Sequence, residues 1–365
     1  MKYLPRALLY GLFLCLAPAL VLAQTDCPAI VQTALDAADT LCQNTGRNQA
    51  CYGNIDITAQ PQVDAHNFRF QVVGDTVNVS DVESLHLSPM NQQTGAWGVA
   101  LLRLQANLPD TLPGQNVTFL LFGDVEIDNA VDPSDTTQHP MQAFRLKTGV
   151  GDATCDEAPE SGLLVQTPEG ADQIAFNVNG VDVSMGSTVL FQADPDQGMS
   201  VSTLEGAAFV AAEDGAQPIV PGSWVRIAIN KELQASAGPE LPESYEKRVR
   251  LLQNLPIRLL QRKIKIAPPL TPEQLQAVKD RIQNGQLPCG EDPFPSCEKF
   301  VQFLRPRIEL CRTLPPRQKP RYCERLANFM RNVVFPAATM TAAAGGQLGG
   351  PPVLNGTPPA APLGG

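Results

Sequence analysis

Histidine is nearly missing from this chain. Three occur in 365 residues: His66, His86 and His139. Histidine is the side chain that most readily exchanges protons near neutral pH, so acid–base chemistry would have to rest on other groups. His139 precedes Pro140 in an acidic loop and reads as solvent-facing structure. Aromatic residues make up 6%, with two Trp and five Tyr. That leaves few of the stacking platforms on which sugar sites rely. The G-x-S-x-G elbow, the H-E-x-x-H pair and the phosphate-binding P-loop are all absent. There is no C-x-x-C pair, which together with the scarcity of His argues against zinc. Beyond the first 23 residues no run approaches the ~20 apolar residues of a membrane-spanning helix. These absences point away from an enzyme, a zinc domain and a membrane-spanning chain. Carboxylates remain plentiful, so a glycosidase-type carboxylate pair is the one catalytic route that composition leaves open.

Pro and Gly are abundant, 33 and 28. Such punctuation excludes a helical bundle and favours many short strands joined by turns. Residues 1–23 read as an export signal. Lys2 and Arg6 lead an apolar stretch from Ala7 to Ala19, and Val21-Leu22-Ala23 fits the cleavage rule. The mature chain is expected to start at Gln24 and to be secreted or extracytoplasmic. Eight cysteines then remain: Cys27, Cys42, Cys51 and Cys155, and far along the chain Cys289, Cys297, Cys311 and Cys323. An even number in an exported chain reads as disulfides. Cys27 and Cys42 bracket an amphipathic helix about four turns long, so they cannot bond each other. The expected pairs are Cys289–Cys297, Cys311–Cys323, and Cys155 with one of Cys27, Cys42 or Cys51.

Charge divides the chain. Residues 24–230 carry 6 Lys+Arg against 26 Asp+Glu, whereas 231–365 carry 19 against 11. The basic residues lie beside apolar ones without interleaved aromatics, so no nucleic-acid partner is expected. Attraction between the two halves is the simpler consequence. Ala235-Ser236-Ala237-Gly238-Pro239 reads as a linker between them.

Ile30, Val31, Ala34, Leu35, Ala38 and Leu41 recur at helical spacing over 28–42. A strand is expected from Ile55 to Ala59, and alternation suggests another around Phe68, Phe70 and Val72. The runs Trp97–Leu108 and Val117–Ile127 flank a Pro/Gly turn and predict a central hairpin, because both are almost continuously apolar. Over 162–229 short β segments are separated by turn residues. Asn179-Gly180 is a strong hairpin signal, and Val181, Val183, Val189 and Phe191 should face the interior. In the basic half, Glu243–Leu252 reads as helical. Thr271-Pro272-Glu273-Gln274 is a helix start with Gly285 as its stop. Helices are also expected around Cys297–Cys311 and Pro320–Val334.

The segment from Leu163-Leu164-Val165-Gln166-Thr167 through Asn179-Gly180 and Val183-Ser184-Met185-Gly186-Ser187 to Met199–Val210 resembles the extracytoplasmic β domain of FecR-type proteins. In that family a strand, a Gly-Ser turn and a Leu-x-Gly turn recur in this order. The resemblance covers about a fifth of the chain and implies a β module of a bacterial exported protein. Signalling members place this domain after a transmembrane helix and a cytoplasmic segment, neither of which is found here.

Asp124, Glu126, Asp128, Asp132 and Asp135 are the candidate metal ligands, since gathered carboxylates could hold Ca²⁺. They lack the order of an EF-hand loop, and a solvated acidic face is the competing interpretation. No other cofactor is expected. The expected fold is mainly β, made of small β-sandwich or rolled-sheet modules with a C-terminal disulfide-stapled helical segment. The expected organisation is a signal peptide over 1–23, a Cys-containing β-rich domain over 24–160, a FecR-like β domain over 161–230, a basic helical segment over 231–335, and a disordered Ala/Gly/Pro tail over 336–365. The expected role is a non-catalytic binding or scaffold protein with an extracellular or envelope ligand. A sensory ectodomain or an unrecognised hydrolase are the alternatives.

Overall fold

The computed structural model describes residues 26–105, 116–131, 141–149, 157–168, 174–213, 215–284 and 311–315. The chain is mainly β. Helix α1 (Cys27–Leu41) leads into β1 (Gln49–Asn54), β2 (Ile57–Pro61), β3 (Thr76–Asn78) and β4 (Val82–Leu87). Then follow β5 (Val99–Gln105), β6 (Asn116–Phe122), β7 (Val125–Asn129), β8 (Ala143–Thr148), β9 (Gly162–Gln166) and β10 (Ile174–Val178). Two long strands, β11 (Val181–Asp194) and β12 (Gly198–Ala212), precede β13 (Gly215–Ile219), β14 (Ser223–Ile227) and β15 (Glu243–Ser244). Short helix α2 (Val249–Gln253) and α3 (Pro272–Gln283) complete the described elements.

All 15 described strands belong to one hydrogen-bonded sheet, which folds back on itself along the β11–β12 hairpin. The first wing runs β2-β4-β7-β8-β10 to the early half of β11. The second runs β3-β1-β5-β6-β9 to the later half of β11. β12 continues both wings, pairing β13 at Ala208–Ala212 and β14 at Met199–Ser202. Every described pairing is antiparallel except β8 with β10. Backbone bonds therefore cross residue 161 directly, through β6–β9 and β8–β10, and one core includes residues from Ala50 to Ile229.

The fold-over point is visible in the register. Thr188 pairs Glu205 but Val189 pairs Thr203, so Leu204 is an extra, bulged residue. Inward residues of β12 are Met199 and Val201 before the bulge and Ala208 and Val210 after it, a change of parity that one extra residue demands. Gly206 lies beside it with φ +78°, and a Cβ there would sit 2.0 Å from the Gly186 carbonyl oxygen. Gly186-Ser187 and Leu204-Glu205-Gly206, read from sequence as turns, thus oppose each other within two continuous strands. They bend the strands rather than reverse them.

Between the wings, side chains interlock as in a β-sandwich. Phe119 of β6 meets Phe144 of β8 at 5.5 Å and Phe176 of β10 at 5.7 Å between ring centroids. Val181, Val183, Val189 and Phe191 are fully buried, as the alternation predicted. The Asn179-Gly180 turn has positive φ at both positions. The Asn179 amide also donates to the Leu146 carbonyl and accepts from the Leu146 N–H, tying the turn to β8.

The outer faces differ. On the first wing, Glu126 and Asp128 lie opposite Lys147 and Arg145 in a polar ladder. On the second, Leu101, Leu120, Phe122, Leu164 and Leu190 form a second apolar core with α1 and the segment Tyr245–Leu260. Strands β5, β6 and β9 are buried on both faces over most of their length, which is why their sequences are almost continuously apolar.

Four local expectations change. Residues 68–72 form no strand: the Gln71 and Val72 N–H groups donate to the Asp75 carboxylate instead of to a ladder. Val117–Ile127 is two strands, broken at Gly123 with φ +80°. Residues 235–240 are laid down rather than free, with Ala235 N–H donating to Asn179, Ser236 N–H to Ala228 and Glu240 N–H to Arg226. Residues 243–252 begin as β15 and a 3-10 turn before α2. Helix α3 starts at Thr271 as expected, closed by a capping box with Gln274, while Gly285, the expected stop, lies outside the described residues. The expected helices around Cys297–Cys311 and Pro320–Val334 lie outside the described residues, apart from a short helical stretch at Cys311–Thr313. No helix among the described residues is long and apolar enough to cross a membrane.

Candidate ligand-binding site

The layer covering the second wing is held by specific polar bonds. Gln166 exchanges two hydrogen bonds with the Arg262 backbone, both 2.8 Å. The Arg262 guanidinium donates to Glu205 at 2.7 Å and to Ser187 at 2.9 Å, on the bulge itself. Ala267 N–H donates to the Leu204 carbonyl at 2.8 Å. Tyr245, 1% exposed, donates its hydroxyl to the Ala267 carbonyl, and burial pushes its pKa up. The described part of the basic half is therefore bound to the acidic one through defined pairs, Arg262–Glu205 and Arg258–Asp36 among them.

This anchoring delivers Arg248. It ends the 3-10 turn Tyr245–Arg248, whose N-cap Ser244 accepts from the Glu246 N–H. Its guanidinium carbon lies 4.4 Å from the centre of the Trp224 ring, a cation–π contact. Nη2 donates to Gln192 Oε1 at 2.7 Å and Ser200 Oγ at 3.1 Å. Gln192 is oriented for this because its own amide donates to the Ser161 carbonyl at 3.0 Å. Nη1 is buried without a hydrogen-bond partner among the described residues. Burial pushes the guanidinium pKa down, and Glu160 opposes that only in part. Arg248 remains a cation, desolvated and with no carboxylate at ion-pair distance among the described residues.

Arg248 and Trp224 form one wall of a cleft of about 340 Å³. The 194–198 turn also lines it, with Asp194 accepting from the Asp196 and Gln197 N–H groups. Arg226 and Glu160 complete the charged part of the lining, so both signs of charge face one space. The Ser200 hydroxyl oxygen is engaged by Arg248 rather than set against a base. Such a cleft can orient a small polar ligand by charge and by an aromatic edge.

The sequence-predicted residues lie elsewhere. Asp124 is in the turn before β7, 3.8 Å from His86. Glu126 and Asp128 share the outer face of β7, with Lys147 3.9 Å from Glu126. Burial raises the Asp128 pKa, Glu126 adds to this, and Arg145 opposes it. Asp132 and Asp135 lie outside the described residues, and among those described no three His, Cys, Asp or Glu gather as metal ligands. Cys42 is bonded to Cys51, with Cα atoms 5.8 Å apart. Cys27 and Cys311 are also disulfide-bonded. Cys155, Cys289, Cys297 and Cys323 lie outside the described residues.

Sequence reasoning missed Arg248 and Trp224. One signal was available: in Trp224-Val225-Arg226-Ile227 the aliphatic pair faces the core, so alternation sets Trp224 outward, and an outward Trp on a strand needs a partner. No family model, no curated protein and no solved structure matches this chain.

Proposed function

We propose that the chain is a non-catalytic extracytoplasmic binding protein whose ligand enters the Arg248 cleft. The carrying observation is a desolvated arginine, held over Trp224 by Gln192 and Ser200, with no carboxylate paired to it among the described residues. A protein that buries an unpaired charge gives up stability, and an arriving anion recovers it. Asp194, Asp196 and Glu160 on the other walls suit a positive group on the same ligand. The reading is thus a small zwitterion, such as an amino acid or a short peptide. The disulfides and the export signal of the sequence fit an extracytoplasmic site. The FecR-type order of segments over 163–210 fits a β module used for binding at the bacterial envelope.

Calorimetric titration of the mature chain with amino acids, dipeptides and their C-terminal amides tests this. The free carboxylates should bind and the amides should bind at least about tenfold more weakly. Arg248→Met should abolish the difference, while Lys147→Ala on the opposite wing should preserve it. Equal binding of acids and amides, no binding at all, or turnover of any ligand would contradict the proposal.

A further inference from the structure

A second cleft opens where the covering layer ends at the other margin of the same wing. Arg103 lies on β5 two residues beyond Leu101 and so shares its covered face. Helix α1 stands on one side and residues 258–261 on the other, enclosing about 330 Å³, at the lower end of the range for ligand pockets. The Arg103 Nε is shut off from water with no hydrogen-bond partner among the described residues. The described residues offer its guanidinium no ion pair, and burial pushes its pKa down with no neighbouring charge to offset it. Arg258, on the facing wall, differs: it is already paired to Asp36 at 2.7 Å. Asp39 is the one carboxylate among the described lining residues, and it is exposed to water, which screens it. The remaining walls include the buried side chains Leu101, Leu259 and Leu260.

A strongly basic fork with no counter-ion among the described residues, set against leucines, recognises one kind of molecule. We infer that this cleft is a second ligand site, and that it takes a carboxylate carried on a short apolar chain. The head pairs with Arg103, whose planar fork matches a carboxylate. The chain lies against Leu259 and Leu260 and leaves water. This inference stands apart from the Arg248 cleft, since it rests on different residues.

The probe is hexanoate, titrated into the mature chain by calorimetry and by NMR of the arginine Nε–H signals. Hexanoate should bind and should shift the Arg103 Nε–H signal. Acetate, which lacks the chain, and hexanamide, which lacks the charge, should each bind at least about tenfold more weakly. Arg103→Gln should remove hexanoate binding and raise the midpoint of thermal unfolding, because it deletes an uncompensated charge. A purely structural arginine would lower that midpoint. Lys147→Ala should leave the titration unchanged. If Arg103→Gln fails to fold, the NMR shift in the unaltered chain decides alone. No binding, an unmoved Arg103 signal, acetate or hexanamide binding as well as hexanoate, or hexyl phosphate binding in place of it would overturn the inference.

Discussion

The two outer faces of the folded sheet were made by the same strand alternation, yet they ended differently. The first wing turns Glu126, Lys147, Asp128 and Arg145 to solvent, in cross-strand pairs 3.9 Å apart at best. The second turns Leu120, Phe122, Leu164 and Leu190 outward, and these must be covered. Helix α1 covers part, and residues 245–260, carried there by the chain after the last long strand, cover the rest. The lesson is that the basic segment is a third layer of the fold. Its two margins are where the cover stops, and each margin holds in a cleft an arginine at least partly withdrawn from water, with no carboxylate paired to it among the described residues.

The sharpest way to break this comparison is to cut into the covered face. Phe122 is fully buried between β6 and the covering layer. Phe122→Ala should cost about 3–5 kcal/mol in urea unfolding. A cost under about 1 kcal/mol would mean that the second wing is not covered at all.

A smaller effect is expected at the bond that fastens the layer to the bulge. Burial works to raise the Glu205 pKa, but hydrogen bonds from Arg262 and Ser187 outweigh it and hold the carboxyl below its ordinary value of 4.5. A carboxyl lowered by folding stabilises fully above its unfolded pKa and loses that contribution as pH falls through the lower folded value. Unfolding midpoints measured from pH 7 down to pH 3 should therefore fall in the acid range, and Glu205→Gln should flatten part of that slope. At neutral pH the same substitution should cost about 1 kcal/mol, allowing for solvent screening of a side chain 35% exposed. An unchanged slope would detach the layer from this anchor.

The smallest effect belongs to the open face. Lys147→Ala removes an exposed cross-strand partner and should change stability by no more than about 0.5 kcal/mol. A loss comparable to Phe122→Ala would show that the two faces are not different in kind.

What could be read from sequence was what neighbouring residues decide. Helix α1, the β5–β6 hairpin, the Asn179-Gly180 turn and the Thr271 cap each follow from spacing or from turn chemistry within a few residues. The misreadings came from distant partners. Phe68, Phe70 and Val72 alternate correctly, but the Asp75 carboxylate takes the N–H groups a strand would use. Residues 235–239 have linker composition, yet Asn179 and Ala228 hold their backbone. Gly186 and Gly206 looked like turns because a bend and a reversal call for the same residue. Arg248 could not be singled out among the basic residues, because its character comes from Trp224, Gln192 and Ser200, none of them near it in the chain.

Native-state hydrogen exchange of the mature chain tests the layered account most directly. The amide of Ala267, bonded to Leu204, and that of Arg262, bonded to the Gln166 side chain, should be protected to within about 2 kcal/mol of the most protected amides in β6 and β9. Free exchange at Arg262 and Ala267, with β6 and β9 still protected, would contradict it, leaving the basic segment a tethered appendage and both clefts without their second wall.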